Sequence, residues 1–550
     1  MQACKALTAG TVVATILAAA SLAMPGEAGP INVDVCVYGG TSAGVVAALT
    51  TARLGKSVVL VEPGRHLGGM TTGGLGYTDF GNKAVIGGIS RDFYKQVGKH
   101  YGKEEAWTFE PHVAEQVYKD WIAAAKVRVL FEHRLQRVAK ERGRIRSIVL
   151  ERVPPDEAGA PAAKAMESDA AVVVAGMFID ATYEGDLMAG AKVSYTVGRE
   201  SAEQYGEPLN GVRAKTPSHQ FIVRTDPYVK AGDASSGLLP LIQAGDGGKP
   251  GSGDRSVQAY NFRMCLTKNP DNKLPIAPPA GYDEKRYEIL GRYFDALATE
   301  AGKKPTLGMF LKIDMMPNGK TDINNNGAVS TDFIGENYAY PDGDWAARSR
   351  IWKAQQEYTR GLLCYLASSP RVLEDVRREM QLWGLCKDEF ADTGGWPHQM
   401  YIREARRMVG RYVITQADCE HKRVAEDSVG IGAYNMDSHN CQRIVKNGAV
   451  ENEGDVQVRP TGPYPVSYRA MTPKAEECEN LLVPVCLSAS HMAYGSVRME
   501  PVFMALAQSA ATAACQAMEE GRSVQEIDMP RLQRRLLEAG QVLTYSRPAR

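Results

Sequence analysis

A glycine-rich hexapeptide and one later glutamate have the residue types and spacing that suit binding of a dinucleotide. The hexapeptide is Gly39-Gly40-Thr41-Ser42-Ala43-Gly44, and the carboxylate is Glu62. At a strand-to-helix turn, the first glycine permits a tight turn and the last lets helix and strand pack closely. Backbone N–H groups of the helix then face a diphosphate. Thr41 stands where this pattern usually has glycine, so the backbone would approach the phosphate less closely.

The position of Glu62 strengthens this interpretation. A carboxylate at the end of the second strand accepts hydrogen bonds from an adenosine ribose and disfavours NADP, whose 2′-phosphate it would repel. Residues 33–38 and 57–62 are β-branched runs that predict buried strands, and residues 42–54 have helical apolar spacing. Together they predict a βαβ dinucleotide-binding unit. The alternative is a Rossmann-like unit with a glutamate on its surface.

Further along the chain, apolar runs predict the rest of an α/β fold. Residues 65–88 are too rich in glycine for a regular element and suit close approach of the backbone to a ligand. Strands are predicted at 127–131, 170–179 and 481–487, and helices at 115–125 and 501–519.

Candidate catalytic groups are harder to recognise. His439 lies in a polar segment and could transfer a proton, although a solvated loop histidine is the alternative. Arg403, Arg406 and Arg407 are predicted on a helix, where the first two could share a face and clamp a substrate; a solvated basic face is the alternative. Residues 322–327 imitate the start of a calcium loop, but Phe333 takes the place of the required glutamate. No metal site is predicted.

Composition excludes some classes of protein. Lys+Arg and Asp+Glu both total 64, so the chain lacks the basic excess that a nucleic-acid partner requires. No C-x-x-C occurs, which argues against an iron–sulfur cluster or a structural zinc site. In an oxidising compartment, proximity in sequence makes three disulfides plausible. Nine cysteines remain after the signal peptide, so at least one thiol stays free, and Cys36 is expected to be a free one. The three pairs are Cys364–Cys386, Cys419–Cys441 and Cys478–Cys486.

The first 28 residues have the pattern of a signal peptide. Lys5 precedes an apolar run at 7–23, and small residues follow it. We therefore expect a secreted protein, periplasmic or extracellular; an uncleaved membrane anchor is the alternative. No later segment approaches 18 unbroken apolar residues, so no stable membrane span is expected after cleavage.

Three sequence blocks, in order, resemble a known family. They are Leu67–Gly74 (LGGMTTGG) with Ile86–Tyr94 (IGGISRDFY), Phe178–Leu187 (FIDATYEGDL) and Ser490–Pro501 (SHMAYGSVRMEP). The pattern is similar to that of FAD-dependent oxidoreductases of the fumarate-reductase flavoprotein and heterodisulfide-reductase A-like group. The resemblance implies a discontinuous Rossmann-like FAD-binding domain with an inserted mixed α+β substrate or cap domain. The expected division is a signal peptide at 1–28, FAD-binding segments at 33–190 and 470–520, the inserted domain at 191–469 and a helical tail at 521–550.

The resemblance also implies roles for individual residues. Besides the hexapeptide and Glu62, FAD is expected to contact Gly69, Met70, Thr71, Val138, Asp180, Ala181, Met499 and Glu500. Relatives can tether FAD through a histidine near the glycine-rich segment, but His66 is out of register with it, so FAD is expected to be non-covalent. Ala489-Ser490 replaces the Gly-Asp pair that often holds the ribitol. Arg498 matches a substrate-binding arginine, and His491 or His439 would handle the proton.

The function expected from the sequence is that of an exported, FAD-dependent oxidoreductase. It would transfer a hydride between flavin N5 and a small-molecule substrate, polyhydroxylated or carboxylated, with an electron acceptor that the sequence does not identify. The alternatives are fumarate-like reduction of an unsaturated acid, a flavin-binding protein without turnover, and an NAD-dependent dehydrogenase.

Overall fold

The computed structural model describes residues 29–165, 170–300 and 304–546. The predicted signal peptide lies outside these residues. Within them, no helix combines the length and apolar character that crossing a membrane requires.

The N-terminal segment builds most of one sheet and the helices against it. Its elements are β1 (Ile31–Tyr38), α1 (Ser42–Arg53), β2 (Val58–Glu62), α2 (Gly88–His100), α3 (Pro111–Ala124), β3 (Arg128–Phe131), β4 (His133–Glu141), β5 (Arg144–Arg152), β6 (Ala170–Asp180) and α4 (Asp186–Gly190). The predicted βαβ unit is therefore present, with boundaries close to those expected.

The middle of the chain forms short strands, mostly paired in twos, and helices of very different lengths. Its strands are β7 (Tyr195–Thr196), β8 (Tyr228–Lys230), β9 (Asp233–Leu238), β10 (Leu266–Thr267), β11 (Lys273–Leu274), β12 (Leu311–Met315), β13 (Thr321–Asn325), β14 (Gly384–Cys386), β15 (Arg407–Met408), β16 (Ser428–Gly432), β17 (Met436–Ser438), β18 (Gln442–Lys446), β19 (Ala449–Glu453), β20 (Val456–Val458) and β21 (Tyr464–Ser467). Its helices are α5 (Ala202–Tyr205), α6 (Glu288–Glu300), α7 (Trp345–Ser368), α8 (Glu374–Leu382) and α9 (Gln416–Cys419).

The C-terminal segment returns to the first sheet. It contains β22 (Leu481–Leu482), α10 (His491–Val497), α11 (Glu500–Glu520) and α12 (Met529–Glu538). The sheet has the order β3-β2-β1-β6-β5-β4, and β22 pairs with β6. Strands β1, β2, β3, β6 and β22 are parallel, whereas β4 and β5 form an antiparallel hairpin. This arrangement confirms the α/β fold with a discontinuous Rossmann-like domain.

The larger hydrophobic cluster runs without a break from α1, α3 and α11 into the middle segment, where it includes Trp352 and Leu362. A smaller cluster covers the opposite face of the sheet with the β4–β5 hairpin. The middle segment therefore shares the core of the nucleotide-binding domain, and side chains from both can meet in one buried site.

Two predictions of local structure are wrong. The run 481–487 forms a strand only at Leu481–Leu482, because Pro484 lacks the N–H that a continuing ladder would need. The segment with Arg403, Arg406 and Arg407 is not a helix; Arg407 lies in β15 and the residues before it are irregular. Each of these arginines pairs with a carboxylate, and two of the partners, Asp332 and Asp186, are far away in sequence.

The predicted disulfides are also absent from the structure. All nine cysteines among the described residues are buried and free, including Cys36, the one expected to be free. Closeness in sequence did not identify the neighbouring cysteines. Cys364 lies in α7, whereas Cys386 lies in β14, next to Cys265.

Candidate functional site

The glycine-rich turn lies between β1 and α1 and has the predicted geometry. Gly39 has φ +101°, and a Cβ there would lie 2.8 Å from the Thr182 backbone nitrogen. A Cβ on Gly44 would lie 1.7 Å from the Gly39 carbonyl oxygen, so no side chain fits. Thr41 caps α1 by accepting from the Gly44 N–H, and its hydroxyl donates to the Ala181 carbonyl (2.7 Å). The threonine that departs from the glycine pattern therefore links the helix to the end of β6.

Glu62 closes the other side of this turn. Its carboxylate accepts from the backbone N–H groups of Gly40 (2.6 Å) and Gly64 (2.5 Å). Burial raises the pKa of Glu62 to about 7, although the two backbone hydrogen bonds oppose the shift. Glu62, Gly39 and Thr41 line a cleft of about 950 Å³ that opens to solvent.

His66 lies at the same end of this cleft. Its ring stacks on His398 with 3.8 Å between centroids, and its nitrogens contact Glu115 (3.0 Å) and Asp392 (2.9 Å). Burial lowers the pKa of His66, but these two carboxylates more than offset it, so the net shift is upward. Both ring nitrogens of His66 therefore already contact carboxylates of the protein, Glu115 and Asp392.

A buried carboxylate and three hydroxyl groups join the cleft to a second cavity. Glu500, at the start of α11, accepts from Ser42 Oγ (2.5 Å), Thr71 Oγ1 (2.8 Å) and Tyr183 Oη (2.7 Å). Tyr183 lines both spaces, and its hydroxyl also accepts from the Met70 N–H (2.9 Å). Burial raises the pKa of Glu500, although the hydrogen bonds from Ser42, Tyr183 and Thr71 oppose the shift. The N-terminal turns and the returning C-terminal helix thus meet in one polar cluster.

The second cavity is smaller, about 350 Å³, and is lined by Leu75, Asp79, Tyr183, Tyr401, Ile402, Arg403, Tyr494, Arg498, Met499, Glu500 and Phe503. Arg498 donates to the Tyr401 hydroxyl (2.9 Å). The guanidinium carbons of Arg403 and Arg498 lie 4.6 and 5.8 Å from the centre of the Tyr401 ring. Both arginines are buried, and the Nε of each has no hydrogen-bond partner among the residues that the structure describes. Such unsatisfied donors suit a ligand with oxygen acceptors.

His439 belongs to a layer behind this cavity. Its Nδ1 lies 2.7 Å from Asp332 Oδ2, and Asp332 also pairs with Arg403 (3.0 Å). Its Nε2 lies 3.8 Å from a carboxylate oxygen of Asp437, whose carbonyl accepts from Arg498 (3.1 Å). Burial lowers the pKa of His439, and the charge of Arg403 acts in the same direction. His439 therefore reaches the cavity only through these neighbours.

His491 is also outside the cavity lining. It is 1% exposed, with Nδ1 2.7 Å from Glu404 and Nε2 3.0 Å from Ser438 Oγ. Its backbone N–H donates to Glu200. The structure thus brings Arg498 into the cavity and leaves both predicted histidines one layer behind it.

The other predicted cofactor contacts have varied surroundings. Gly69 lies at the cleft, and Ala181 accepts from Thr41. Asp180 accepts from the Thr182 and Met188 N–H groups, and so holds the turn after β6 instead of lining the cleft. Val138 lies on β4 against Gly190, apart from the cleft.

The calcium-like segment has a different partner. The Asp322 carboxylate accepts two hydrogen bonds from Arg263, at 2.6 and 2.7 Å, and both residues are buried. This bidentate pair explains the aspartate without a metal.

Tyr183, Tyr401 and Asp332 were missed from the sequence. Tyr183 lies inside the block Phe178–Leu187, where its position after β6 was the available signal. Tyr401 and Asp332 lie in irregular backbone, where no periodic pattern singles out a side chain.

The cleft and the helix start fit an adenine dinucleotide. Ser42 and Ala43 lie in the first turn of α1, before the first intrahelical bond, from Val45 N to Thr41 O (2.9 Å). Backbone N–H groups at this position are donors suited to a diphosphate. Glu62 supplies a carboxylate at the end of the second strand, which is where such folds bind the adenosine ribose. The Ser42, Thr71 and Glu500 oxygens continue the polar path toward the second cavity.

Comparison with known proteins agrees with this geometry. A family described as FAD dependent oxidoreductase matches residues 34–536, nearly the whole chain. The FAD cofactor expected from the sequence is thereby confirmed. No curated protein matches the sequence.

Solved structures with detectable likeness are distant. A geranylgeranyl bacteriochlorophyll reductase-like protein from Thermoplasma acidophilum is 12% identical, with 93% of this chain and 85% of that chain covered and a TM-score of 0.35. THI4 from Thermovibrio ammonificans is 18% identical, covering 31% of this chain and 66% of that one, with a TM-score of 0.22. L-proline dehydrogenase from P. horikoshii is 14% identical, covering 31% and 59%, with a TM-score of 0.24. The chain thus spans less than two thirds of THI4 and of the proline dehydrogenase.

Proposed function

The chain belongs to the FAD-dependent oxidoreductase family, and from this premise we propose that it oxidises or reduces a small carboxylated substrate in the cavity beside Arg498. One observation carries the proposal: Arg403 and Arg498 both line this cavity, and within the described part of the chain the Nε of each lacks a hydrogen-bond partner. Guanidinium groups form charge-assisted, often bidentate hydrogen bonds with carboxylates. A carboxylate between them would satisfy donors that the protein itself leaves unpaired.

The residues that would hold FAD follow from the cleft. Glu62 would accept from the ribose, and the start of α1 at Ser42 and Ala43 would face the diphosphate. Ser42 and Glu500 would then lie between the adenosine end and the cavity. When bound, FAD supplies the two-electron redox chemistry that protein side chains lack.

The side chains around the cavity would bind and orient the substrate. Arg498 and Arg403, which both lie near the Tyr401 ring, would fix its carboxylate. The Tyr401 hydroxyl accepts from Arg498 and so keeps its own proton available for a substrate oxygen. Leu75, Ile402 and Phe503 would cover the apolar part of the substrate and exclude water.

Proton transfer from the layer behind the cavity remains a prediction. A proton on His439 Nε2 would pass to the Asp437 carboxylate, 3.8 Å away, and from Asp437 to the substrate, since the neighbouring Arg498 guanidinium cannot accept it. His491 would have to act through Ser438 or Glu404. These contacts favour His439 over His491, because two neighbours of His439, Asp332 and Asp437, each contact an arginine that lines the cavity.

A spectroscopic screen tests the proposal. The FAD-loaded protein is mixed anaerobically with hydroxy acids, saturated acids and sugars, and loss of the flavin absorbance is followed. Photoreduced protein is mixed with unsaturated acids, and return of the absorbance is followed. We expect carboxylated compounds to react. A response to sugars alone would refute the carboxylate proposal and favour a polyhydroxylated substrate.

Variants then separate binding from folding. In Arg498→Lys we expect KM for a reactive acid to rise roughly 10- to 150-fold, the value of one lost charge-assisted hydrogen bond. Arg224→Lys, at an exposed position, is the matched control. An unchanged KM in Arg498→Lys would contradict the assignment.

We further propose that the chain is exported, on the strength of Lys5 and the apolar run that follows it. Fractionation of the producing cells, with N-terminal sequencing of the mature protein, tests this. A cytoplasmic chain that keeps its first residues would overturn it.

A further inference from the structure

Two buried cysteines outside the functional site lie side by side. The sulfur atoms of Cys265 and Cys386 are 3.5 Å apart, and both residues are fully buried against Met316 and Phe390. Among the cysteines that the structure describes, these are the two whose sulfur atoms contact each other. They are separated by 121 residues in sequence, and no sequence pattern pairs them.

The strand register places them directly opposite each other. In the antiparallel pairing of β10 with β14, Leu266 is opposite Leu385, so the preceding Cys265 faces Cys386. The Cys386 N–H donates to the Cys265 carbonyl (3.2 Å). Residues in such a hydrogen-bonded pair have Cα atoms about 5.5 Å apart, within the range of about 4.4–6.8 Å that disulfides span. Side-chain rotation alone could therefore bring the sulfurs to bonding distance.

We propose that Cys265 and Cys386 form a disulfide when the chain meets a thiol-oxidising partner, namely a small-molecule or protein disulfide. One thiolate attacks the external disulfide and releases one thiol, giving a mixed disulfide on the protein. The second cysteine thiolate then attacks the protein sulfur of that mixed disulfide and releases the second thiol. The cysteines lose two electrons and two protons in total, and the external disulfide is reduced to two thiols.

The surroundings indicate when this bond forms. Burial raises the pKa of the Cys265 thiol, and the neighbouring Cys386 adds to the shift. Since thiolates are the attacking species, the folded pair is poorly reactive, and exchange occurs during folding or local opening. Once formed, the bond is shielded from reductants.

The bond would also support the substrate cavity. Cys265 ends a segment in which Asn261 forms a bridge with Tyr401 and Arg263 pairs with Asp322. A disulfide would fasten this segment, which lies behind the Tyr401 ring, to β14. It would also close a long loop, which lowers the entropy of the unfolded chain. Because a chain of this size has a large unfolding entropy, the resulting gain in stability should raise Tm by about 4 °C.

The test uses the full chain loaded with FAD. One sample starts fully reduced, and a second starts after exposure to oxidised glutathione. Both are then held in the same glutathione redox buffer, a few degrees below Tm, until their thiol content is constant. They are then denatured in N-ethylmaleimide, and peptides are identified by mass spectrometry. We expect both samples to converge on a linked peptide containing Cys265 and Cys386, with the other cysteines alkylated.

Variants and thermal unfolding complete the design. Cys265→Ser and Cys386→Ser should each abolish the linked peptide, whereas the control Cys364→Ser should retain it. The oxidised wild type should unfold about 4 °C above wild type that was kept reduced throughout, whereas Cys265→Ser should have the same Tm after either treatment. Alkylation of both cysteines in both samples, or linkage to a different cysteine, would overturn the proposal.

Discussion

Replacement of Glu62 by glutamine should weaken FAD binding by an amount that depends on pH. Each carboxylate oxygen of Glu62 accepts one backbone N–H, from Gly40 and Gly64. In Glu62→Gln, one of these N–H groups faces an amide NH₂, and the ribose loses a charged acceptor. Hydrogen bonds to charged groups contribute about 1.5–3 kcal/mol each, so loss of one raises Kd roughly 10- to 150-fold.

The pH dependence follows from the raised pKa of Glu62, about 7 in the protein without FAD. The ionised carboxylate is the better acceptor for ribose hydroxyls, so FAD binding should be tighter where Glu62 is already ionised. At pH 6 only about one tenth of the carboxyl groups are ionised, against nine tenths at pH 8. Wild-type affinity should therefore rise up to about tenfold from pH 6 to pH 8, and that of Glu62→Gln should not.

The same shift affects folding in the opposite direction. Because the folded-state pKa of Glu62 is raised from 4.5 to about 7, its protonation stabilises the protein without FAD at low pH. That contribution is complete below pH 4.5 and is lost as pH rises to about 7. Glutamine removes this dependence, so unfolding of the variant must be measured beside binding.

Titration of the FAD-free protein with FAD, followed by quenching of flavin fluorescence at pH 6, 7 and 8, provides the assay. Glu132→Gln is the matched control, because Glu132 follows the neighbouring strand β3 and pairs with Arg65 and Arg152. The reasoning is refuted if Glu62→Gln binds FAD like the control at every pH while remaining folded.

Three further variants test the packing around the site. Gly44→Ala places a Cβ 1.7 Å from the Gly39 carbonyl, so it should abolish FAD uptake and cost about 3 kcal/mol or more, measured by flavin content and urea unfolding. Burial raises the pKa of Glu500 and so favours its neutral form, which glutamine resembles. We therefore expect Glu500→Gln to lower the free energy of unfolding by about 1 kcal/mol and Glu500→Ala by about 3 kcal/mol. Equal losses in urea unfolding would contradict this. Arg263→Met leaves the buried Asp322 carboxylate without its cation, with only the Tyr77 N–H still donating to it, and should cost about 3–5 kcal/mol; Tm equal to that of the wild type would contradict the pairing.

The nucleotide-binding half was predictable because its signals are local. The turn at Gly39–Gly44 and the carboxylate of Glu62 belong to one βαβ unit, in which Glu62 accepts from Gly40 and Gly44 packs against the Gly39 carbonyl. Steric exclusion at Gly44 and capping by Thr41 depend on backbone atoms that the sequence order itself brings together.

The substrate half was not predictable in the same way. Arg403 lies in irregular backbone, and its conformation depends on Asp332, which is distant in sequence. Helical spacing of the arginines therefore suggested the wrong element, since long-range ion pairs outweighed local propensity. In the run 481–487, a single residue without an N–H, Pro484, ended the strand although the apolar pattern continued.

The polar cluster around Glu500 explains why cofactor binding and folding of the distant segments should be coupled. Ser42 comes from the first helix, Tyr183 from the loop after β6 and Glu500 from the helix that follows the whole middle segment. Arg498, two residues before Glu500, belongs to the substrate cavity, so the cluster fixes the cavity relative to the cleft. A ligand that binds only the folded chain stabilises it by about 2.7 kcal/mol at a concentration 100 times its Kd. The residues that would contact FAD come from both ends of the chain. The stabilisation by FAD should therefore appear in one cooperative unfolding transition that includes the substrate cavity, and not in the N-terminal segment alone.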